Sequence, residues 1–189
     1  SRSDASVYSF YATKIITGGQ GGLVWSEHED LISSVQDYRD FDCRLDYKPR
    51  FNFQMTDIQA ALVNSQLLRS KNTHMRRREI ASRYSASLPS FLGHQANILD
   101  EGNIPYRFVV VAPSPSVRDL LIDHMADAGI SCIVPIKKHE LLHRYLGISP
   151  EQFPVSELLA DCTVSIPLYP SLKDSDIESI SLGLSSFSP

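Results

Sequence analysis

Four glycines in six positions, Thr17-Gly18-Gly19-Gln20-Gly21-Gly22, divide two short apolar and aromatic runs at residues 8–11 and 22–25. So many residues without side chains suit neither a helix interior nor a packed strand, and the spacing predicts two strands joined by a Gly-rich connection. Lys14 falls just after the first strand, flanked by Ala12, Thr13, Ile15 and Ile16. A lysine partly removed from water has its charged form disfavoured, which makes its amine a better nucleophile toward a carbonyl carbon. The unobstructed N–H groups of the glycine run would let a phosphate approach the backbone closely. Read alone, these residues are better described as a surface lysine beside a tight turn. They do not form a phosphate-binding P-loop, because no lysine followed by serine or threonine closes the string.

Residues 26–49 mix charges with aromatics and carry a helical pattern only near 27–35, with loop expected beyond it. A stronger signal follows. Thr56 and Gln59 form a capping-box pair, and Ile58, Ala61, Leu62, Ser65 and Leu68 recur at helical spacing. The periodicity resumes through Met75, Ile80, Tyr84 and Leu88 before Pro89, predicting one long bent helix or two joined near residues 70–72. Arg69, Lys71, Arg76, Arg77, Arg78 and Arg83 are assigned to its exposed side, as a solvated face or the rim of an anionic-substrate site. Nucleic-acid binding through these arginines is disfavoured by the formal charge of -4.

Beyond a connection near Gly102, residues 106–112 read as a buried strand carrying Arg107. Ser116 and Asp119 then open a helix with Val117, Leu120, Leu121 and Met125 inward and Gly129 capping its end. Residues 130–134 read as another strand. Helices are expected around 140–146, 155–163 and 174–182, with a Pro167-Leu168-Tyr169-Pro170 turn between the last two. Strand, helix and strand in this order describe a small α/β layer domain. The apolar runs are far shorter than the roughly 20 residues that span a bilayer, and no leader pattern is seen at the start, so a cytoplasmic protein is expected. Cys43, Cys132 and Cys162 are odd in number and widely spaced, which suits reduced core thiols better than a disulfide frame or a zinc site.

Three ordered segments, residues 6–14, 17–22 and 51–62, closely resemble the DegT/StrS sugar aminotransferase family. The resemblance continues through Tyr106-Arg107-Phe108, Arg118-Asp119, Gly129-Ile130 and the stretch from Phe153-Pro154 to Tyr169-Pro170. It implies an α/β fold: the C-terminal part of a fold-type I pyridoxal-phosphate (PLP) aminotransferase. Residues 1–70 would be a remnant of the large PLP-binding domain, and 71–189 a linking helix and a small C-terminal α/β domain. By position, Lys14 stands where the family has the lysine that holds PLP, and Ser9 where a serine hydroxyl binds the PLP phosphate. Asn52 matches an asparagine that reaches the phosphate of the neighbouring subunit's cofactor. No metal is implied.

Transfer of an amino group from an amino acid, usually glutamate, to a nucleotide-linked keto-sugar is the reaction implied. The partners implied are a second copy or a complementary N-terminal chain, with no nucleic acid and no membrane. The family chain is about twice as long, and its N-terminal part supplies the acid that pairs with the pyridinium nitrogen and the ring that stacks on the cofactor. Substrate contact is expected from Tyr11, where the family often has histidine, from Gln54, where it usually has arginine, and from His139, near Pro135. The alternative is a non-catalytic relative that keeps the fold as a binding or regulatory module.

Overall fold

The computed structural model describes residues 3–189, and the chain divides into two compact units, Ser1–Lys71 and Asn72–Pro189. In the first unit, β1 (Ser6–Ser9) and β2 (Gly22–Trp25) pair antiparallel, with Ser6 opposite Trp25 and Ser9 opposite Gly22. The first strand therefore lies earlier than residues 8–11. Regular pairing stops at Gly22 because Gly21 turns to positive φ, so Phe10 makes one further bond to Gly21 O and Tyr11 only an isolated bridge to Gly19. Helix α1 (Glu29–Arg39) packs on β2 and runs further than its apolar pattern, with acidic residues in its first turn and Arg39 in its last.

The Thr56 capping box is formed. Thr56 accepts from Gln59 N–H, the Gln59 side chain accepts from Thr56 N–H at 2.9 Å, and α2 (Asp57–Leu67) follows. A break at Leu68 and Arg69 separates it from α3 (Ser70–Ser87), so the second of the two alternatives holds.

The second unit is built on an antiparallel sheet ordered β3 (Gly93–His94), β4 (Phe108–Val111), β5 (Thr163–Ile166). The expected strand at 130–134 reduces to a bridge between Ile133 and Ser165 on the sheet's margin. Strand β5 occupies residues where the helical pattern was expected to end, and all its residues are buried. Around the sheet lie α3, α4 (Pro115–Asp127), α5 (Leu142–Tyr145), α6 (Pro154–Cys162) and α7 (Asp174–Ser186). Ser114, not Ser116, caps α4. It accepts from Val117 N–H at 3.3 Å, and Pro115 suits the first helical position because it has no N–H to satisfy. Leu120 faces solvent while Leu121 and Met125 are buried, and Gly129 closes the helix at φ 75°.

One apolar core serves this unit, joining Ile80 and Tyr84 of α3 to Phe108, Val110, Val164 and Ile166 of the sheet and Ile177 and Leu184 of α7. Tyr84 meets Phe108 edge-on, with ring centroids 5.4 Å apart, and its hydroxyl donates to Pro167 O at 3.0 Å. The arginines of α3 are not a solvated row. Arg77 is buried and donates to the carbonyls of Pro105, Tyr106 and Leu168, Arg78 donates to Leu99, Asp100 and Asn103 carbonyls, and Arg76 reaches Leu172 O and Asp174. They tie loops to the helix. The thiols also divide: Cys162 is buried, Cys132 is half-buried with burial pushing it up to about 11, and Cys43 is exposed at a positive φ, outside any core.

Glu157 of α6 gathers a cluster beside the core. Arg144 donates to both of its oxygens at 2.8 Å, buried His143 pairs with it at 2.8 Å while stacked on Phe153, and Lys138 stands 3.5 Å away. Arg144 first, then His143 and Lys138, hold the carboxyl at about 2. A carboxyl held below its unfolded value stabilises the fold above that value and loses the contribution as pH falls toward the folded one. The melting temperature of Glu157→Gln is therefore expected to lie below that of the parent at neutral pH, with the gap closing as pH falls from about 4.5 to about 2. Circular dichroism melts across that range test it, and a gap independent of pH would refute it.

Candidate functional site

Where β1 ends, the chain makes a closed loop rather than a direct return. Lys14 N–H donates to Tyr11 O at 2.9 Å, forming a tight turn, and the loop closes on the carbonyl of buried Phe10. That oxygen accepts both Gly18 N–H at 3.0 Å and the Thr17 hydroxyl at 3.1 Å, while Thr17 Oγ1 in turn accepts Gly19 N–H at 2.9 Å. Phe10 thus acts as the anchor and residues 11–17 as the loop it holds. Lys14 is exposed on this loop, with Ile15 and Ile16 half-buried beside it, so the shielding expected from its apolar neighbours is not provided.

Ser9 lies at the base of the loop, exposed, its Oγ accepting Tyr11 N–H at 3.4 Å. Because that bond uses an oxygen lone pair, the hydroxyl proton is left to donate outward. Ser9, Tyr11 and Lys14 are therefore brought together at one end of the β1–β2 ribbon. Its aromatic neighbour Tyr11 is also exposed.

Three of the four glycines are required by packing. A Cβ on Gly18 would sit 3.1 Å from Gln59 O and 3.2 Å from Val63 Cγ2 of α2, and one on Gly21 would overlap the Met55 side chain. Gly22 faces the Tyr8 carbonyl so closely that a Cβ would fall 2.8 Å from it. Gly19, at φ 81°, is needed for its backbone angle alone, since nothing stands within 4 Å of the Cβ it lacks.

Asn52 and Gln54 lie elsewhere, on the extended segment that enters α2. Both line a groove of about 1380 Å³ walled by Gly22 and Val24 of β2, Ile32 and Val35 of α1, and Met55. Gln54 Nε2 donates to Asp40 Oδ1 at 3.3 Å, tying this segment to the end of α1. Lys14 and Ser9 are not among the groove's lining residues, although Gln20 and Gly21 of the glycine connection are. The structure thus makes two groups in the first unit, an amine and hydroxyl on the loop, and two carboxamides in the groove.

Residues 40–50, which border the groove's segment, are held by charge. Nearly buried Arg50 pairs with Asp37 and Asp46 at 2.8 Å each, Lys48 pairs with Asp37, and Arg44 reaches Asp37 and Asp40 at 3.8 Å. Lys48 and then Arg50 hold the Asp37 carboxyl below the usual carboxylate range. Tyr38, Phe51 and Phe53 stack in succession over this frame, at 6.1 and 4.9 Å between centroids. Sequence reasoning missed the frame, since Asp37 and Arg50 lie thirteen residues apart with no local pattern joining them.

His139 belongs to the second unit. It stands exposed on a short 3-10 turn, Lys138–Glu140, whose neighbours are engaged: Lys137 N–H donates to Glu140 at 2.7 Å and Lys138 pairs with Asp161 at 2.6 Å. Among the described residues no group of three or more His, Cys, Asp or Glu is placed to hold a metal ion, and no helix is long and apolar enough to cross a membrane.

The pattern of the DegT/DnrJ/EryC1/StrS aminotransferase family matches residues 1–184. The spore coat polysaccharide biosynthesis protein SpsC of Bacillus subtilis is 26% identical over 94% of this chain and 52% of its own length. The dTDP-3-amino-3,4,6-trideoxy-alpha-D-glucose transaminase of Micromonospora megalomicea is 29% identical over 90% of this chain and 48% of its own. Among solved structures, the aminotransferase TlmJ from Streptoalloteichus hindustanus superposes with a TM-score of 0.82 at 26% identity, covering 97% of this chain and 51% of TlmJ. The chain spans about half the length of the curated relatives it matches.

Two substitutions separate backbone angle from packing in the glycine connection. Gly19→Ala is expected to cost about 1 kcal/mol, the left-handed penalty alone, whereas Gly21→Ala adds a collision with Met55 and costs clearly more. Amide exchange across β1 and β2 reads the difference, and equal losses would show that Met55 yields freely.

Proposed function

The chain belongs to the DegT/DnrJ/EryC1/StrS aminotransferase family, and from that membership we propose that it is the lysine-bearing part of a PLP-dependent sugar aminotransferase. In this reading an amino group passes from an amino acid such as glutamate to a nucleotide-linked keto-sugar, and Lys14 holds the cofactor. The observation that carries it is the placement of Lys14 and Ser9 at the same end of the ribbon, in the order that the resemblance implies.

These residues fit the two ends of such a cofactor. Lys14 is exposed, and among the described residues it enters no ion pair, so its amine is available to a carbonyl carbon. Ser9 can direct its proton to a phosphate oxygen. Bound PLP would supply the electron sink for the transfer. With the cofactor bound, Lys14 Nζ would hold and move the proton at the carbon that carries nitrogen, a role worth roughly 10²- to 10⁴-fold in rate. Asn52, open on the groove, is read as donating to the phosphate at a second copy's site, with Tyr11, Gln54 and His139 as contacts to the substrate.

Completion by further polypeptide, a second copy or a chain carrying the other half of the family sequence, is part of the proposal. Among the described residues of the first unit only Phe10 and Val63 are buried apolar side chains, while Val7, Tyr8, Leu23 and Trp25 of the ribbon are exposed. A two-stranded ribbon is marginal in water by itself, and both its outer edges present unpaired backbone groups. In this reading the ribbon is part of a larger PLP-binding domain, and residues 71–189 are a linking helix and the small domain.

Incubating the chain with PLP, reducing with borohydride and mapping the peptides tests the reading. Covalent label concentrated on Lys14, and lost in Lys14→Ala, is the expected result. Equal labelling of Lys48, Lys71 and Lys137, unchanged by the substitution, would favour a non-catalytic binding module instead.

A further inference from the structure

We propose that Gln66 is a positioning residue for Lys14, fixing the loop that carries it to α2; the inference rests on Lys14 being the cofactor lysine. The Gln66 carboxamide lies against the main chain of Thr17, three residues beyond Lys14. Its Oε1 accepts Thr17 N–H at 3.1 Å and its Nε2 donates to Thr17 O at 2.6 Å, so a side chain takes the place of a neighbouring strand. The second Nε2 hydrogen goes to Leu62 O, one helical turn earlier, at 3.1 Å.

Every donor of the carboxamide is therefore used, and its orientation is determined. The hydrogen bonds from Lys14 to Tyr11 and from Thr17 and Gly18 to Phe10 join the loop to itself. Two things do relate it to α2. Gly18 lies against Gln59 and Val63, which allows close approach but specifies no direction, and Gln66 supplies directed bonds at both main-chain groups of Thr17.

Helix α2 is a rigid body started by the capping box at Thr56, and the segment bearing Asn52 runs directly into it. Gln66 thus sets the loop of Lys14 and Ser9 relative to the helix whose entry carries Asn52. An exposed amine on a loop samples many directions, whereas one whose loop is pinned three residues away samples few, and orientation of this kind governs the rate at which a bound group reacts. No signal in the sequence marks Gln66 apart from its place in the helix. The requirement appears only with the fold.

The substitutions that test it are Gln66→Ala, which removes all three bonds, and Gln66→Glu, which keeps the acceptor for Thr17 N–H and loses both donors. Each full-length variant is treated with PLP and borohydride beside the parent and Lys14→Ala, with the label on Lys14 quantified against the other lysines. Amide exchange is followed in the peptide spanning residues 11–19. The expected result is a fall of about tenfold in Lys14-selective labelling for Gln66→Ala, the scale of one hydrogen bond, with a smaller fall for Gln66→Glu. Exchange should quicken at 11–19 while exchange across β1, β2 and α2 stays that of the parent.

A merely structural role would quicken exchange across β1, β2 and α2 as much as at 11–19, and that outcome overturns the inference. So does selective labelling of Lys14 that survives Gln66→Ala. If the parent itself fails to label Lys14 selectively, the cofactor reading falls and this inference falls with it, whereas selective labelling that Gln66→Ala leaves intact removes this inference alone.

Discussion

Burial of apolar side chains against β4 and β5 is the interaction on which the second unit rests, and its scarcity in the first unit decides how that unit is built. Around Phe108 and Val110 the sheet receives α3 on one side through Ile80 and Tyr84, and α7 contributes Ile177 and Leu184. Each such side chain withdrawn from water contributes about 1.5–3 kcal/mol, so a core of this extent can carry costly polar burial at its edge. Arg77 is the example. Its guanidinium is buried with no carboxylate partner among the described residues, and it donates to the carbonyls of Pro105, Tyr106 and Leu168.

The first unit has no such reserve and relies on directed polar ties. Phe10 anchors the loop through its carbonyl, Gln66 binds both main-chain groups of Thr17, and Asp37 and Arg50 hold residues 40–50 to α1. Glycine makes the scheme workable. Gly18 and Gly22 let backbone meet backbone at distances a side chain would prevent, so hydrogen bonds do what apolar packing does elsewhere. Exposed ion pairs contribute little each, and their value here lies in a network centred on a nearly buried arginine.

What could be read from the sequence follows the same division. Local rules succeeded where one residue's chemistry decides: the Thr56–Gln59 capping box, the left-handed Gly129, the Gly-rich connection between two strands and the strand at 108–111 all depend on near neighbours. Strand β5 was not legible because Thr163-Val164-Ser165-Ile166 continues the apolar pattern of α6 without a break, and only pairing with β4 makes it a strand. The arginines of α3 look like a polar face in one dimension. Loops distant in sequence bring carbonyls to them, so their burial follows from tertiary structure. For the candidate site, Ser9, Tyr11 and Lys14 share one short segment that the resemblance singles out, whereas Gln66 lies 49 residues from its partner Thr17 and was invisible.

The exposure of Lys14 and the exposed ribbon have one physical root. A site that moves protons between carbon and nitrogen works best where water is excluded and donors are already oriented, and the first unit alone provides orientation without exclusion. Its ribbon leaves Val7, Tyr8, Leu23 and Trp25 in water for the same reason. Polypeptide that pairs with the open edges of β1 and β2 would cover those side chains and enclose the adjoining loop in a single step. In the proposed reading, stabilising the first unit and making the Lys14 amine competent would be one event, and the polar ties inside the loop would keep the amine in place until it occurs.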